Sequence, residues 1–446
     1  TCNTYNMLRL TVQLFCTAPE ISLVDYYERA LFNHILSTQH PESGGLVYFT
    51  PMRPGHYRVY SQPQTSFWCC VGSGLENHAK YGEFIYAHRD DELFVNLFIA
   101  SALQWPERGI RLTQQTRFPE EAATTLIWEA ESPTELTLVL RYPEWVKPGE
   151  LAVLVNGQPF DVPTSPGSFI RIRRRWQTGD QVQLALPMHT TVEQLPDSSN
   201  YFAFLYGPVV LAAKTDTTAM TGLFADDSRG GHIAHGPVLP LRKAPILVGE
   251  PEQLASLPQP VAEKPLHFTL RNVYSAVPGN NVELIPFYRL HESRYILYWP
   301  QATEADVSAL ISRFEEEERD QARIDQLTVD RISVGQQQPE TDHNIQFDRS
   351  VTGLAEGETW REAAGWFSYR LRNSNHSGRY LLLRYFDADR SRDFTITING
   401  ELLADLQLDG KAPGDGLVRT VYPLPDHLQD IPDLIVRFDA RNGRLT

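Results

Sequence analysis

Apolar positions in the first ninety residues recur at helical spacing, and beyond residue 90 they alternate. In residues 6–15, Met7, Leu8, Leu10, Leu14 and Phe15 form a broad apolar stripe, which Pro19 ends. Ser22 is placed to cap a second helix. Its apolar positions Leu23, Tyr27, Ala30, Leu31, His34 and Ile35 follow i, i+4, i+7, i+8 spacing until Pro41 and Gly44-Gly45 stop it. Residues 46–49 read as extended, and a turn-rich loop with Pro51, Pro54, Gly55 and Pro63 follows. A third helix is expected over about residues 73–85, after Cys69-Cys70. Three helices with so much apolar face cannot close a domain alone, and they read as the end of a larger helical one.

The β pattern begins near Asp90. Residues 92–100, 124–128, 135–141, 151–156, 169–173 and 181–186 alternate or carry β-favouring side chains, and Asn156-Gly157 marks a two-residue hairpin. Strands at this spacing, with no helices between them, indicate a sandwich or jelly roll. A second β-rich stretch runs from Tyr201 to about Pro300, and its Gly- and His-containing loop, residues 222–236, reads as a solvated insertion. Thr303 opens one more helix, with Val307, Leu310, Ile311 and Phe314 on one face and the acidic run Glu315 to Glu318 on a solvated one. The last block is β-rich again, with a turn at Asn399-Gly400. The expected partition is a helical segment over 1–90, a first sandwich over 91–196 and a second β-rich sandwich over 197–302, then a linking helix over 303–326 and a C-terminal sandwich over 327–446. In that last block Trp360, Trp366, Tyr369 and Tyr380 either fill a core or, where exposed, form a carbohydrate-binding platform.

Charge and composition narrow the function. Forty Lys and Arg against fifty-five Asp and Glu leave the 446-residue chain at −15, a surface that repels phosphate backbones, so nucleic acid is not an expected partner. The longest strongly apolar run, residues 201–213, is too short to span a bilayer. Thr1 drops directly into a helical pattern, so localisation is not legible at the N-terminus.

The four cysteines, Cys2, Cys16, Cys69 and Cys70, all fall in the first seventy residues, whereas a disulfide framework would spread through the later domains too. Cys16 sits on the first apolar stripe and reads as a core residue. Cys69-Cys70 lies between Ser66-Phe67-Trp68 and the Gly-rich start of a helix, where the dipole favours thiolates. With Cys2 they would supply three soft ligands for zinc, while inert buried thiols remain the alternative at this point.

The residues Thr1-Cys2-Asn3-Thr4-Tyr5-Asn6-Met7-Leu8-Arg9-Leu10 and Ser66-Phe67-Trp68-Cys69-Cys70-Val71-Gly72-Ser73-Gly74-Leu75-Glu76-Asn77 resemble the β-L-arabinofuranosidases of glycoside hydrolase families 127 and 146, the second the nearer in these motifs. The resemblance covers about two-thirds of the chain. It implies the C-terminal part of an (α/α)6 barrel followed by β-sandwich, jelly-roll-like domains. It further implies a zinc site holding Cys2, Cys69 and Cys70, with Cys69 as nucleophile of a retaining glycosidase. The Glu of the first metal motif and the acid/base Glu are expected upstream of Thr1, in a further N-terminal segment, so that residues 1–446 alone are expected to hydrolyse little. Tyr48 resembles a family position beside the nucleophile, and His56 is placed to donate to sugar hydroxyls; a strand-core Tyr and a surface His are the plain alternatives. The implied substrate is an arabinose-containing oligo- or polysaccharide of plant type, and the implied location bacterial periplasmic or secreted. Two other functions stay open: a non-catalytic carbohydrate-binding or structural protein, and a related hydrolase for another sugar.

Overall fold

A computed structural model describes every residue except 164, 229, 275–281, 356–357, 387–388, 410–416 and 442–446. The chain is a mixed protein with many β-sheets and few helices, in two compact units, residues 1–316 and 317–446.

The first unit opens with helices α1 (Cys2–Thr17) and α2 (Ile21–Ala30), the second continuing as a π turn over Leu31–Ile35 and a 3-10 turn over Leu36–Thr38. Extended Glu20 precedes α2, so Ser22 lies inside the first turn and is not the cap. The buried face of α1 is Tyr5, Leu8, Thr11 and Phe15. Met7, Leu10 and Leu14 fall on a second line of the helix and are exposed, so the apolar stripe is broader than the face it buries. Cys16, one residue past Phe15, is carried to the exposed side and is not a core residue. Phe15 packs edge-on against Phe84 and Phe94, at 5.1 and 5.7 Å, which seats the helices on the first sandwich.

That sandwich has a four-stranded sheet (Tyr86–Arg89, Glu92–Val95, Thr134–Tyr142, Ser168–Trp176). Facing it is a six-stranded sheet in the order Ser101–Trp105, Ile110–Thr116, Ala123–Ala130, Gln181–Ala185, Ala152–Val155, Gln158–Phe160. Alternation sends Leu138, Leu140, Ile170 and Ile172 of one and Leu112, Leu126 and Val182 of the other into a shared core, where Trp128 stacks on Trp176 at 4.5 Å. The Asn156-Gly157 hairpin forms as its sequence requires, with φ of 52° and 77°. One fully buried ion pair ties the helices to this sandwich. Arg141, on the Thr134–Tyr142 strand, donates to Asp25 at 2.6 Å and to Glu28 of α2, and the Trp145 indole donates to Glu28 at 2.9 Å.

Ten further strands form one hydrogen-bonded set around Tyr201–Tyr206 and Val209–Asp216, with Phe204, Leu211, Leu284 and Trp299 at the core. The helix near residue 303 begins at Val307 and ends at Leu327, and Val307 and Phe314 are its buried positions. Thr303 precedes it by one turn and donates its hydroxyl to Asp306 at 2.7 Å.

The second unit has a five-stranded sheet in the order Gln346–Ala355, Glu358–Arg372, Asp433–Ala440, Arg390–Ile398, Glu401–Asp409, and a two-stranded one from Tyr380–Phe386 and Leu417–Pro423. Phe367, Tyr369, Phe394, Ile396 and Phe438 form its core with Leu381 and Tyr385. Buried Glu340 accepts two bonds from Arg361, at 2.7 and 2.6 Å, and one from the Tyr369 hydroxyl at 2.6 Å. Among Trp360, Trp366, Tyr369 and Tyr380, Tyr369 is core, Trp366 lies 3.8 Å beneath the Arg437 guanidinium, Trp360 packs over Gly353, and Tyr380 is 66% exposed.

Candidate active site

Helix α3 runs from Cys69 to Asn77, four residues earlier than its sequence suggests. Gly72 and Gly74 weaken helical propensity and mimic a loop, but Gly74 answers a packing demand. A Cβ there would stand 2.5 Å from Leu46 Cδ1. Trp68 is the extended residue before the helix, with φ −104° and ψ 153°. Cys69 and Cys70 are therefore the first two helical residues, where backbone N–H groups lack intrahelical acceptors and the helix dipole favours negative sulfur.

Helix α1 brings Cys2 to the same place. Its Sγ lies 3.4 Å from Cys69 Sγ, Cys69 and Cys70 Sγ are 3.9 Å apart, and all three sulfurs fall within 4.8 Å of one another. None is in a disulfide. A tetrahedral metal with bonds of about 2.3 Å to sulfur sets its ligands roughly 3.8 Å apart, so the three thiols have the spacing and softness to hold a metal such as zinc. Burial and the neighbouring Cys2 and Cys70 thiols push Cys69 up to about 11. Burial also acts against the Cys2 thiolate, but hydrogen bonds from Cys69 and Cys70 outweigh it and lower Cys2 overall. Sulfurs this close cannot all carry charge without a cation between them.

Tyr48 lies beside the cluster: burial, then the charge of Cys69, hold its phenol above the usual range. Its ring contacts Phe49 at 4.5 Å, Trp68 at 6.2 Å and His232 at 4.5 Å, and Trp68 meets His232 at 5.5 Å. His56 stands one layer further out. Its Nδ1 accepts from the Tyr57 N–H at 2.8 Å, and its ring lines a cavity of about 300 Å³. Burial, then the Arg294 and Arg53 charges, lower His56.

Residues 222–236 are not solvated throughout. Ala225 and His232 are buried, and Leu223 and Ala234 pack with them against Tyr57, Val59 and Trp68. The only hint in sequence was a His after Gly230-Gly231, and Gly231 is held tight by Asp226, whose carbonyl oxygen a Cβ would approach to 2.7 Å. Its long-range partners carry no local periodicity, so pattern reading missed it.

Residues 1–83 match the family model of the β-L-arabinofuranosidase GH127 catalytic domain, and residues 92–188 that of the GH127 middle domain. Residues 191–301 match a domain of unknown function and residues 323–446 a family of unknown function. Among curated proteins nothing matches the chain. Solved structures similar to it include a glycoside hydrolase, 17% identical with a TM-score of 0.51 over 68% of this chain and 52% of its own. A GH127 β-arabinofuranosidase is 21% identical, with a TM-score of 0.52 over 68% and 49%. A GH127 β-L-arabinofuranosidase from Geobacillus stearothermophilus is 21% identical, with a TM-score of 0.48 over 67% and 49%. The chain spans about half the length of these structures. The resemblance carried by the cysteine motifs is thus met independently, by GH127 catalytic and middle domains in sequence order.

Proposed function

We propose that this GH127 relative belongs to a retaining glycosidase that releases β-L-arabinofuranose from plant-type glycans. On this reading Cys69 is the nucleophile, and Cys2, Cys69 and Cys70 hold zinc. The observation that carries it is the convergence of three free thiols from α1 and α3 within 4.8 Å. Residues 1–90 are read as the end of an (α/α)6 barrel, with β domains over 91–196, 197–302 and 327–446 and the helix Val307–Leu327 joining the last two in sequence.

The chemistry asks for a nucleophile on one face of the sugar and an acid/base on the other. Cys69 Sγ attacks the anomeric carbon as the glycosidic C–O bond breaks, and the departing oxygen takes a proton from a Glu that the resemblance puts outside residues 1–446. Water then attacks the same carbon, the C–S bond breaks, and the Glu recovers its proton from the water. Zinc, when bound, supplies positive charge that keeps the sulfurs as thiolates at neutral pH. The chain's own part is positioning: Trp68 and Gly74 fix the start of α3, and Tyr48 borders the sulfur that reacts. His56 is placed to contact sugar hydroxyls.

Metal analysis of purified protein is expected to find about one zinc per chain, lost in Cys70→Ser. Hydrolysis of aryl β-L-arabinofuranosides by the full-length protein is expected to vanish in Cys69→Ser. Absence of zinc, together with undiminished hydrolysis by Cys69→Ser, rejects the proposal.

A further inference from the structure

The cavity beside the thiol cluster has a wall that belongs to another part of the chain. Phe49, Pro51, His56 and Tyr57 form one side; His232 and Ile233, from the loop between Val209–Asp216 and Ile246–Val248, form the other. That loop is strapped down at both ends. Arg294, 1% exposed, spends its guanidinium on the carbonyls of Gly55 at 2.9 Å, Thr218 at 3.0 Å and Ala219 at 2.8 Å. The buried Tyr57 hydroxyl donates to Thr221 O at 2.6 Å and accepts from Gly236 N–H at 2.7 Å. Backbone bonds join Tyr60 to Leu223 and Ala225 at 2.8 Å each. A Cβ at Gly236 would stand 2.2 Å from Ala219 O, so the strap closes only with glycine there. These anchors at 218–225 and at Gly236 bring His232 and Ile233 to the cavity wall.

The cavity has the character of a sugar site: mostly apolar walls, which suit C–H faces, and two imidazoles, which suit hydroxyls. None of Cys2, Cys69 and Cys70 lines it; it lies one ring layer away, behind Phe49 and His232, which both contact Tyr48. The cavity thus adjoins the reacting sulfur across the Tyr48 ring and does not enclose it. An enzyme that removes a terminal arabinofuranose has further sugar only on the leaving-group side. We infer that this cavity binds the second sugar ring of the glycan, and that His232, supplied by the β-rich region after the first sandwich, is a specificity-determining residue. The inference rests on the arabinofuranosidase reading for the direction of the chain.

The test is NMR titration of the full-length protein with two sulfur-linked, uncleavable probes, a β-L-arabinofuranosyl disaccharide and methyl 1-thio-β-L-arabinofuranoside. The disaccharide is expected to bind at least tenfold more tightly than the methyl glycoside. His232→Ala and Ile233→Ser are expected to erase that advantage while the methyl glycoside's Kd stays within threefold. An equal loss for both probes in both variants, or no advantage of the disaccharide in wild type, overturns the inference, as does an advantage that survives both substitutions. These outcomes do not depend on turnover, so they are separate from the Cys69→Ser result that decides the nucleophile.

Discussion

At the level of single residues, two buried groups carry more than their sequence shows. Arg141 is wholly enclosed, and its two acidic partners come from α2, over a hundred residues earlier. Arg141→Met would leave Glu28 buried without its cation, a loss on the order of 3–5 kcal/mol, whereas adding Glu28→Leu, which removes the fully buried carboxylate as well, should recover part of it. Urea unfolding of the single and double variants checks this; equal losses in both would refute it. Neither Glu28 nor Arg141 stands out in the sequence, because a charged residue on an apolar helix face reads as noise until its partner is seen. The thiols differ. Their chemistry is local and rare, so Cys2, Cys69 and Cys70 were legible as a set, and the structure brings them together. His232 was not legible, since nothing adjacent to it marks the Tyr48 ring it meets.

Among elements, α3 shows how glycine misleads and why. Gly72 has open space around its missing Cβ, whereas Gly74 faces Leu46. Gly72→Ala should therefore stabilise the protein by roughly 0.5–1 kcal/mol, and Gly74→Ala should destabilise it by about 1–3 kcal/mol. Thermal melts of the two variants, with opposite signs expected, test the assignment of the helix start to Cys69. Strands were the easier elements: the hairpin turns at Asn156-Gly157 and Asn399-Gly400 both have the positive φ their residues favour. Short strands such as Ser101–Trp105, whose burial alternates only between intermediate and exposed, left too little contrast for a pattern to register. In the second unit, the element that couples stability to pH is the Glu340–Arg361–Tyr369 cluster. Burial opposes the Glu340 charge, but the Arg361 and Tyr369 bonds outweigh it and hold the carboxyl below its ordinary 4.5. Because its folded value is depressed, the stabilisation is fully present above 4.5 and is lost as pH falls through the folded value. Glu340→Gln is expected to be less stable than wild type at pH 7 and to converge with it in strong acid, read from thermal melts across pH. A constant gap across pH would contradict the assignment.

For the molecule as a whole, the order of helices and then strands was readable because periodicity changes from 3.6 to 2 near residue 90. How many bodies the strands make was not readable, since that depends on contacts between distant segments. Residues 317–446 enclose their own core of Phe367, Tyr369, Phe394 and Phe438. Expressed alone, this unit is expected to melt cooperatively by circular dichroism, and a featureless melt would show that its core is insufficient. In the other unit α1 and α3 meet at the sulfurs, and a strap from a later β region walls the adjoining cavity. There Cys69, the proposed nucleophile, is expected to bond to the sugar. Mass spectrometry of the full-length protein, quenched during turnover of a slow aryl β-L-arabinofuranoside and digested, measures this directly. One arabinosyl group is expected on the peptide that contains Cys69. Turnover with the label on a carboxylate, or with no labelled peptide in Cys69→Ser and undiminished rate, would contradict it.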